Sequence, residues 1–265
     1  MNEAELVLTD ILNCSRLMLR LNGSMPLERS VSSALACVLK RRIKAEPLQY
    51  ILGETEFMGL AFKVDSRVLI PRPETEIIVE RALELSGNLR QARILDMGTG
   101  SGCIAVSLAK LLPAAFLTGT DISAPALEVA QYNARFHKAE ERIRFIESDL
   151  FAAKELQGSA FDLIVSNPPY IRSKEIDRLQ PEIQYEPRLA LDGGVDGLEY
   201  FRRIIREAPS YLKPQGLLVL EMGLGQRKHI EGMLRQSKAY KTTEVIRDYN
   251  GIARVIVARK QVFYG

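Results

Sequence analysis

Tryptophan is absent from this chain of 265 residues, histidine occurs twice and cysteine three times. Each scarcity removes a class of chemistry. His137 and His229 fall in two separate amphipathic helical patterns and read as surface residues, so a Ser-His-Asp triad has no placed base. Neither histidines nor cysteines show metal-ligand spacing, and no metal site is expected. Cys14, Cys37 and Cys103 are odd in number and unpaired in spacing, which reads as free thiols in a reducing compartment. The start Met1-Asn2-Glu3-Ala4-Glu5 has no basic leader region, and no apolar run is long enough to span a bilayer. A cytoplasmic protein without membrane contact is expected. Charge of one sign is lacking too: 36 basic against 33 acidic residues leave +3, too little to announce a nucleic-acid groove.

The hydrophobic content, 46% of residues, is enough to bury one large core and a smaller second unit. Near the start, Val7, Ile11, Cys14 and Met18 recur at helical spacing, with Asn22-Gly23 as the stop. A second helix starts at Ser24-Met25-Pro26-Leu27 and carries Val31, Ala34, Leu35, Val38 and Leu39 as its apolar stripe. Lys40-Arg41-Arg42 closes it where cations suit the helix dipole, and this run reads as a solvated helix end before it reads as a binding patch. From Glu56 to Val64, alternation around Gly59 predicts a hairpin. The boundary falls between Val64 and Pro71, giving an N-terminal helical unit over 1–55, a hairpin linker over 56–70 and a larger domain over 71–265.

Beyond Arg93, strand and helix patterns alternate. Strands are expected at Arg93–Met97, Ala115–Thr120, Arg144–Ser148, Phe161–Ser166, Gly216–Met222, Thr243–Asp248 and Arg254–Arg259, with helices over Cys103–Lys110, Ala124–His137, Leu198–Leu212 and Gln226–Lys238. This predicts an α/β fold with a doubly wound, mostly parallel sheet.

The first of these strands runs into Gly98-Thr99-Gly100-Ser101-Gly102 and then a helix, a nucleotide-type loop. Its third glycine comes two positions after the second, where the dinucleotide fingerprint wants three, and Cys103 takes the reserved place. No Lys-Ser or Lys-Thr follows, so a phosphate-binding P-loop also fails. Cys103 at a helix start could be an activated nucleophile, but a small residue packing the first turn is the safer reading. Asp96, Asp121 and Asp149 fall at or just before the carboxyl ends of successive strands, the edge where open α/β sheets bind ligands. Plainer roles stay open: Asp96 could satisfy loop N–H groups, and the other two could cap helices. Ser123 with Pro125 makes a better helix start, which leaves Asp121 for a ligand.

Asn167-Pro168-Pro169-Tyr170 ends the strand Phe161–Ser166. Two prolines stiffen the backbone, leaving the Pro168 carbonyl without a helical partner beside the Asn167 side-chain oxygen. Two fixed acceptors suit a planar NH2 group, whose nitrogen is a poor nucleophile until both N–H bonds are held and aimed. A Pro-Pro pair alone would more often just terminate a strand; the loop before it changes the weighing. The stretch from Ile171 to Gly197 is too long for an idle turn and contains Ile183, Tyr185, Leu189 and Leu191 to bury, so it is expected to be a lid or recognition loop.

Taken together, Asp96 to Gly102, Asp121, Asp149 and Asn167 to Tyr170 resemble a class I S-adenosylmethionine-dependent methyltransferase. Pro47-Leu48-Gln49-Tyr50-Ile51-Leu52-Gly53, Pro71-Arg72-Pro73-Glu74-Thr75-Glu76 and Tyr185-Glu186-Pro187 with Leu189-Ala190-Leu191 narrow the resemblance to the bacterial protein-glutamine methyltransferases of release factors, the PrmC or HemK family. The resemblance implies methyl transfer from S-adenosyl-L-methionine to the glutamine amide of the Gly-Gly-Gln loop of class 1 release factors, by a monomer. It implies that Gly98, Thr99, Gly100, Ser101 and Gly102 cradle the methionine part, Asp121 takes the ribose hydroxyls, and Asp149 and Leu150 meet the adenine. Asn167, also beside the donor, and Pro168 would receive the glutamine amide, with Pro169 and Tyr170 completing the substrate site. Relatives often carry an aromatic residue where Leu150 stands, so stacking gives way to apolar contact. A ribosomal protein as substrate, an adenine amine of DNA or RNA, and a non-catalytic scaffold are the competing readings.

Overall fold

The computed structural model describes residues 3–262 except 22, 24, 25, 88 and 90. The expected helix stop at Asn22 and helix start at Ser24-Met25 therefore lie outside the described residues. The N-terminal pattern, read as one helix, forms two, Glu3–Ile11 and Arg16–Leu21, because Asn13 takes a left-handed φ of 45° between them. The next helix, Arg29–Arg42, ends on the basic run as expected. A short helix Leu48–Leu52 follows and is stopped by Gly53 at φ 83°.

The hairpin consists of strands β1 (Glu54–Phe57) and β2 (Leu60–Lys63). Helix Pro73–Ser86 was not anticipated; it starts on a proline, which lacks only an N–H that the first turn does not use. Then come β3 (Arg93–Met97), helix Cys103–Leu111, β4 (Phe116–Asp121), helix Ala124–Phe136, β5 (Ile143–Glu147) and β6 (Phe161–Ser166). Ser123 caps the Ala124 helix by accepting from the Ala126 N–H. The expected helix to Leu212 ends at Glu207, since Pro209 offers no N–H to continue it. β7 then runs from Leu212 to Glu221, with an irregularity around Pro214 and Gln215 (φ 63°) before regular pairing resumes at Leu217. Helix Arg227–Ser237, β8 (Tyr240–Arg247) and β9 (Ala253–Lys260) complete the described chain.

Seven strands form one sheet in the order β5-β4-β3-β6-β7-β9-β8. Pairings from β5 to β7 are parallel, whereas β9 lies antiparallel between β7 and β8. Both faces are covered, so the strands read as continuous apolar runs whose alternate residues enter opposite cores. Ile94, Leu163, Val165, Val219 and Val257 face the helices beginning at Pro73 and Cys103, while Leu95, Ile164, Leu218, Leu220 and Ile256 face those beginning at Glu199 and Arg227. The parallel strands all end at one edge, and that edge carries the site.

Candidate active site

Three glycines make the loop after β3, each in the left-handed region, with φ of 71° at Gly98, 55° at Gly100 and 79° at Gly102. An added Cβ at Gly98 or Gly100 would meet nothing within 4 Å, whereas one at Gly102 would lie 3.1 Å from the Ala130 Cβ. The first two glycines border open space and the third lets two helices close. The loop is stitched to the neighbouring strand: the N–H groups of Gly98 and Thr99 both donate to the Thr120 carbonyl at 2.8 Å. Gly98 and Gly100 therefore offer the cavity bare backbone, as a closely approaching ligand requires.

The three strand-end carboxylates separate into different roles. Asp96 is fully buried and accepts from the Thr99 hydroxyl at 2.6 Å and the Ala105 N–H at 3.1 Å. It holds the loop and the helix start, the plainer of its two roles, and burial pushes its pKa up to about 7. Asp121 accepts from the N–H groups of Gly100 and Ser123, each at 2.9 Å, and still lines the cavity. Burial raises its pKa, against those backbone bonds. Asp149 lines the same cavity and pairs with Arg203 at 2.9 Å. Leu150 sits beside it with φ 54°. Thr99, Ser101 and Gly102 do not line this cavity; Thr99 and Ser101 are buried behind it.

Asn167 and Pro168 line this cavity and also a second one, walled by Leu69, Arg72, Tyr170, Ile171, Ile183, Ala190 and Leu191. Pro169 borders the first and Tyr170 the second. The segment after Tyr170 folds into short helices at Ser173–Ile176 and Arg188–Leu191 with a tight turn of helix at Pro181–Tyr185. Through Pro187, Leu189 and Ala190 it walls the first cavity, and through Ile183 the second. It is anchored to the N-terminal helices, Arg42 to Glu182 at 3.1 Å and the Tyr185 hydroxyl to the Lys44 carbonyl at 2.8 Å.

The match to known proteins decides the family. Residues 1–53 match the PrmC N-terminal domain and residues 75–184 the methyltransferase small domain. Over 258 residues the chain is 46% identical to the release factor glutamine methyltransferase of Geobacter sulfurreducens, covering 97% of this chain and 88% of the relative. The chain belongs to the release factor glutamine methyltransferase family. The protein of that name from Chlorobaculum tepidum is 44% identical, with 95% of this chain and 87% of the relative covered. Among solved structures, a methyltransferase from Pyrococcus furiosus is similar at TM-score 0.57 and 20% identity, covering 87% of this chain and 100% of that one. The hMettl16 catalytic domain solved with a MAT2A hairpin is similar at TM-score 0.63 and 17% identity, covering 89% and 81%. Both show the fold.

In this methyltransferase, Cys103 packs into the core at the first turn of its helix, the plainer of its two readings, and burial first, then nearby Asp96, push its thiol up to about 12. His137 is half-buried and packs on Phe62, its Nε2 2.6 Å from the Ala61 carbonyl, so it ties the hairpin to the larger domain. Four residues escaped sequence reading although they flank Asn167 or its loop: Thr75, Glu221, Arg72 and Glu186. Thr75, Arg72 and Glu186 stand inside the motifs that narrowed the family, and Glu221 is the single acid closing the apolar run from Leu217.

Proposed function

We propose that this enzyme transfers the methyl group of S-adenosyl-L-methionine to the side-chain amide nitrogen of the Gly-Gly-Gln glutamine of class 1 release factors, in the cytoplasm. The observation that carries this reading is the wall shared by two cavities: Asn167 and Pro168 border both, so a donor on one side and an acceptor on the other would meet there.

The donor cavity fits the group. Its glycines leave room for close approach, Asp121 keeps lone pairs beyond its two backbone bonds for a ribose diol, and Leu150 provides an apolar contact beside Asp149. When bound, S-adenosylmethionine supplies an electrophilic methyl on a sulfonium. The remaining task belongs to the chain. The Asn167 side-chain oxygen and the Pro168 carbonyl receive the two N–H bonds of the carboxamide, concentrating density on its nitrogen and aiming it. Tyr170 packs along the aliphatic stem. Pro187, Leu189 and Ala190 exclude water from the line of transfer. The amide proton leaves only after the methyl arrives, when the nitrogen is acidic enough for solvent to take it. The N-terminal unit, residues 1–55, would hold the body of the release factor.

The test is transfer of labelled methyl to a purified class 1 release factor, with peptide mass spectrometry to locate it. The label is expected on the glutamine of Gly-Gly-Gln. Label appearing instead in DNA, RNA or a ribosomal protein, or none in the release factor, would overturn the substrate assignment.

A further inference from the structure

An asparagine amide can face a substrate either way round, and only one way is useful. With its oxygen toward the acceptor cavity, Asn167 accepts from the incoming NH2 group; with its nitrogen there, two donors collide. The motif that contains Asn167 does not itself settle which, because the two prolines constrain the backbone and leave the side-chain amide free to turn over.

The choice is made by two residues from elsewhere. The Asn167 Nδ2 donates to the Thr75 Oγ1 at 3.1 Å. Thr75 is 3% exposed in the first turn of the helix that begins at Pro73. As an acceptor from Asn167, its hydroxyl has its own hydrogen to give. The Glu221 carboxyl, 1% exposed at the end of β7, lies beside both the Thr75 hydroxyl and the Asn167 side chain, each of which favours its charged form. Sheet register brings it there: Ser166 pairs with Leu220, so the next residues along the two parallel strands, Asn167 and Glu221, are neighbours.

We infer that Thr75 and Glu221 are positioning residues that hold the Asn167 amide with its nitrogen inward and its oxygen toward the substrate. This inference rests on the proposed acceptor role of Asn167. The arrangement tolerates either protonation state of Glu221, since a carboxylic acid keeps a carbonyl oxygen able to accept from Thr75. Burial pushes this carboxyl up to about 7, with Arg254 favouring its charged form and Glu74 opposing it. Its Oε2 has no hydrogen-bond partner, so a proton there disturbs no bond of the relay.

The test compares Thr75→Val, which keeps the shape and removes the hydroxyl, with Thr75→Ser, which keeps the hydroxyl, using a class 1 release factor as substrate and calorimetry for the donor. For Thr75→Val we expect kcat to fall at least tenfold while KM for the release factor and Kd for the donor stay within twofold. Thr75→Ser should recover kcat to within threefold of the parent. Glu221→Leu, which removes the acceptor, should lower kcat, and the double variant Thr75→Val with Glu221→Leu should be no worse than Thr75→Val alone, as expected for members of one relay. Unchanged kcat in Thr75→Val, a matching loss of donor binding, or no recovery with serine would each overturn the inference. Asn167→Ala separates the two layers. If it is inactive while Thr75→Val is fully active, only the positioning role fails; if Asn167→Ala itself turns over, the acceptor reading beneath it fails.

Discussion

Arg72 and Glu186 are joined at 2.5 Å across 114 positions of sequence, tying the proline-rich segment that opens the larger domain to the loop after Asn167-Pro168-Pro169-Tyr170. The Glu186 side chain is 2% exposed, and burial raises its pKa while Arg72 pulls it back. Pro187, next in the chain, walls the cavity bordered by the glycine loop, and Arg72 itself walls the second cavity. The pair holds together two segments that wall the cavities meeting at Asn167 and Pro168.

Arg72→Ala should therefore destabilise the protein and loosen the loop. It strands a buried carboxylate, and because Arg72 remains about a third open to solvent the cost should be about 2 kcal/mol, below the roughly 3–5 kcal/mol of a fully buried pair. Thermal melting and KM for the release factor are the measurements. Glu186→Gln leaves only the Arg72 guanidinium unpaired, and that group is about a third open to solvent, so it should cost less; an unchanged melting temperature in Arg72→Ala would show that the loop is held by its other contacts.

The three loop glycines should fail differently. Gly102→Ala places a Cβ 3.1 Å from Ala130 at a φ of 79°, so strain and overpacking together should cost about 2 kcal/mol or more. Gly98→Ala meets no protein atom within 4 Å and should cost only about 1 kcal/mol of backbone strain, while its methyl crowds the donor. Melting should rank Gly102→Ala as the less stable variant, and calorimetry should rank Gly98→Ala as the weaker donor binder. The opposite ranking would contradict the assignment of space around the loop.

Asn167→Ala should lower kcat by about a hundredfold or more, the usual scale for losing one preorganised hydrogen-bonding group in a transition state. Donor Kd should stay within a few-fold, because Asp121, Asp149 and the glycine loop remain. Substantial turnover in this variant would show that the carboxamide is held elsewhere.

Asp96 predicts a pH dependence of stability. Its pKa of about 7 in the folded protein lies above the roughly 3.9 of an unfolded aspartate, so the folded state holds this proton more tightly. Its contribution is complete below the unfolded value and is lost as pH rises from about 4 to about 7. Asp96→Asn cannot ionise, so urea unfolding at several pH values should show a flatter profile for it than for the parent over that window. Parallel profiles would show that Asp96 does not titrate there.

Local chemistry made much of this protein readable from its residues. β3, the glycine loop and the following helix, the Ser123 cap, and the strand ended by Asn167 and two prolines each follow from neighbours in sequence, because turn geometry and backbone donors act over a few residues. Parallel strands buried on both faces were legible as apolar runs for the same reason. Two boundary shifts trace to single residues: Pro209 ended a helix early, and Asn13 split another.

What tertiary structure alone decided involves residues far apart in the chain. The placing of β9 antiparallel between β7 and β8 depends on which edge a hairpin finds, and apolar periodicity is blind to that. Asp96 turned inward to hold its loop while Asp121 and Asp149 faced the cavity, although all three occupy similar strand ends. Asn167 meets Thr75 across 92 positions and Glu221 through strand register. Composition and spacing could nominate the acceptor amide, but its orientation is set by two buried side chains that come within hydrogen-bonding range only when the sheet and its covering helix have packed.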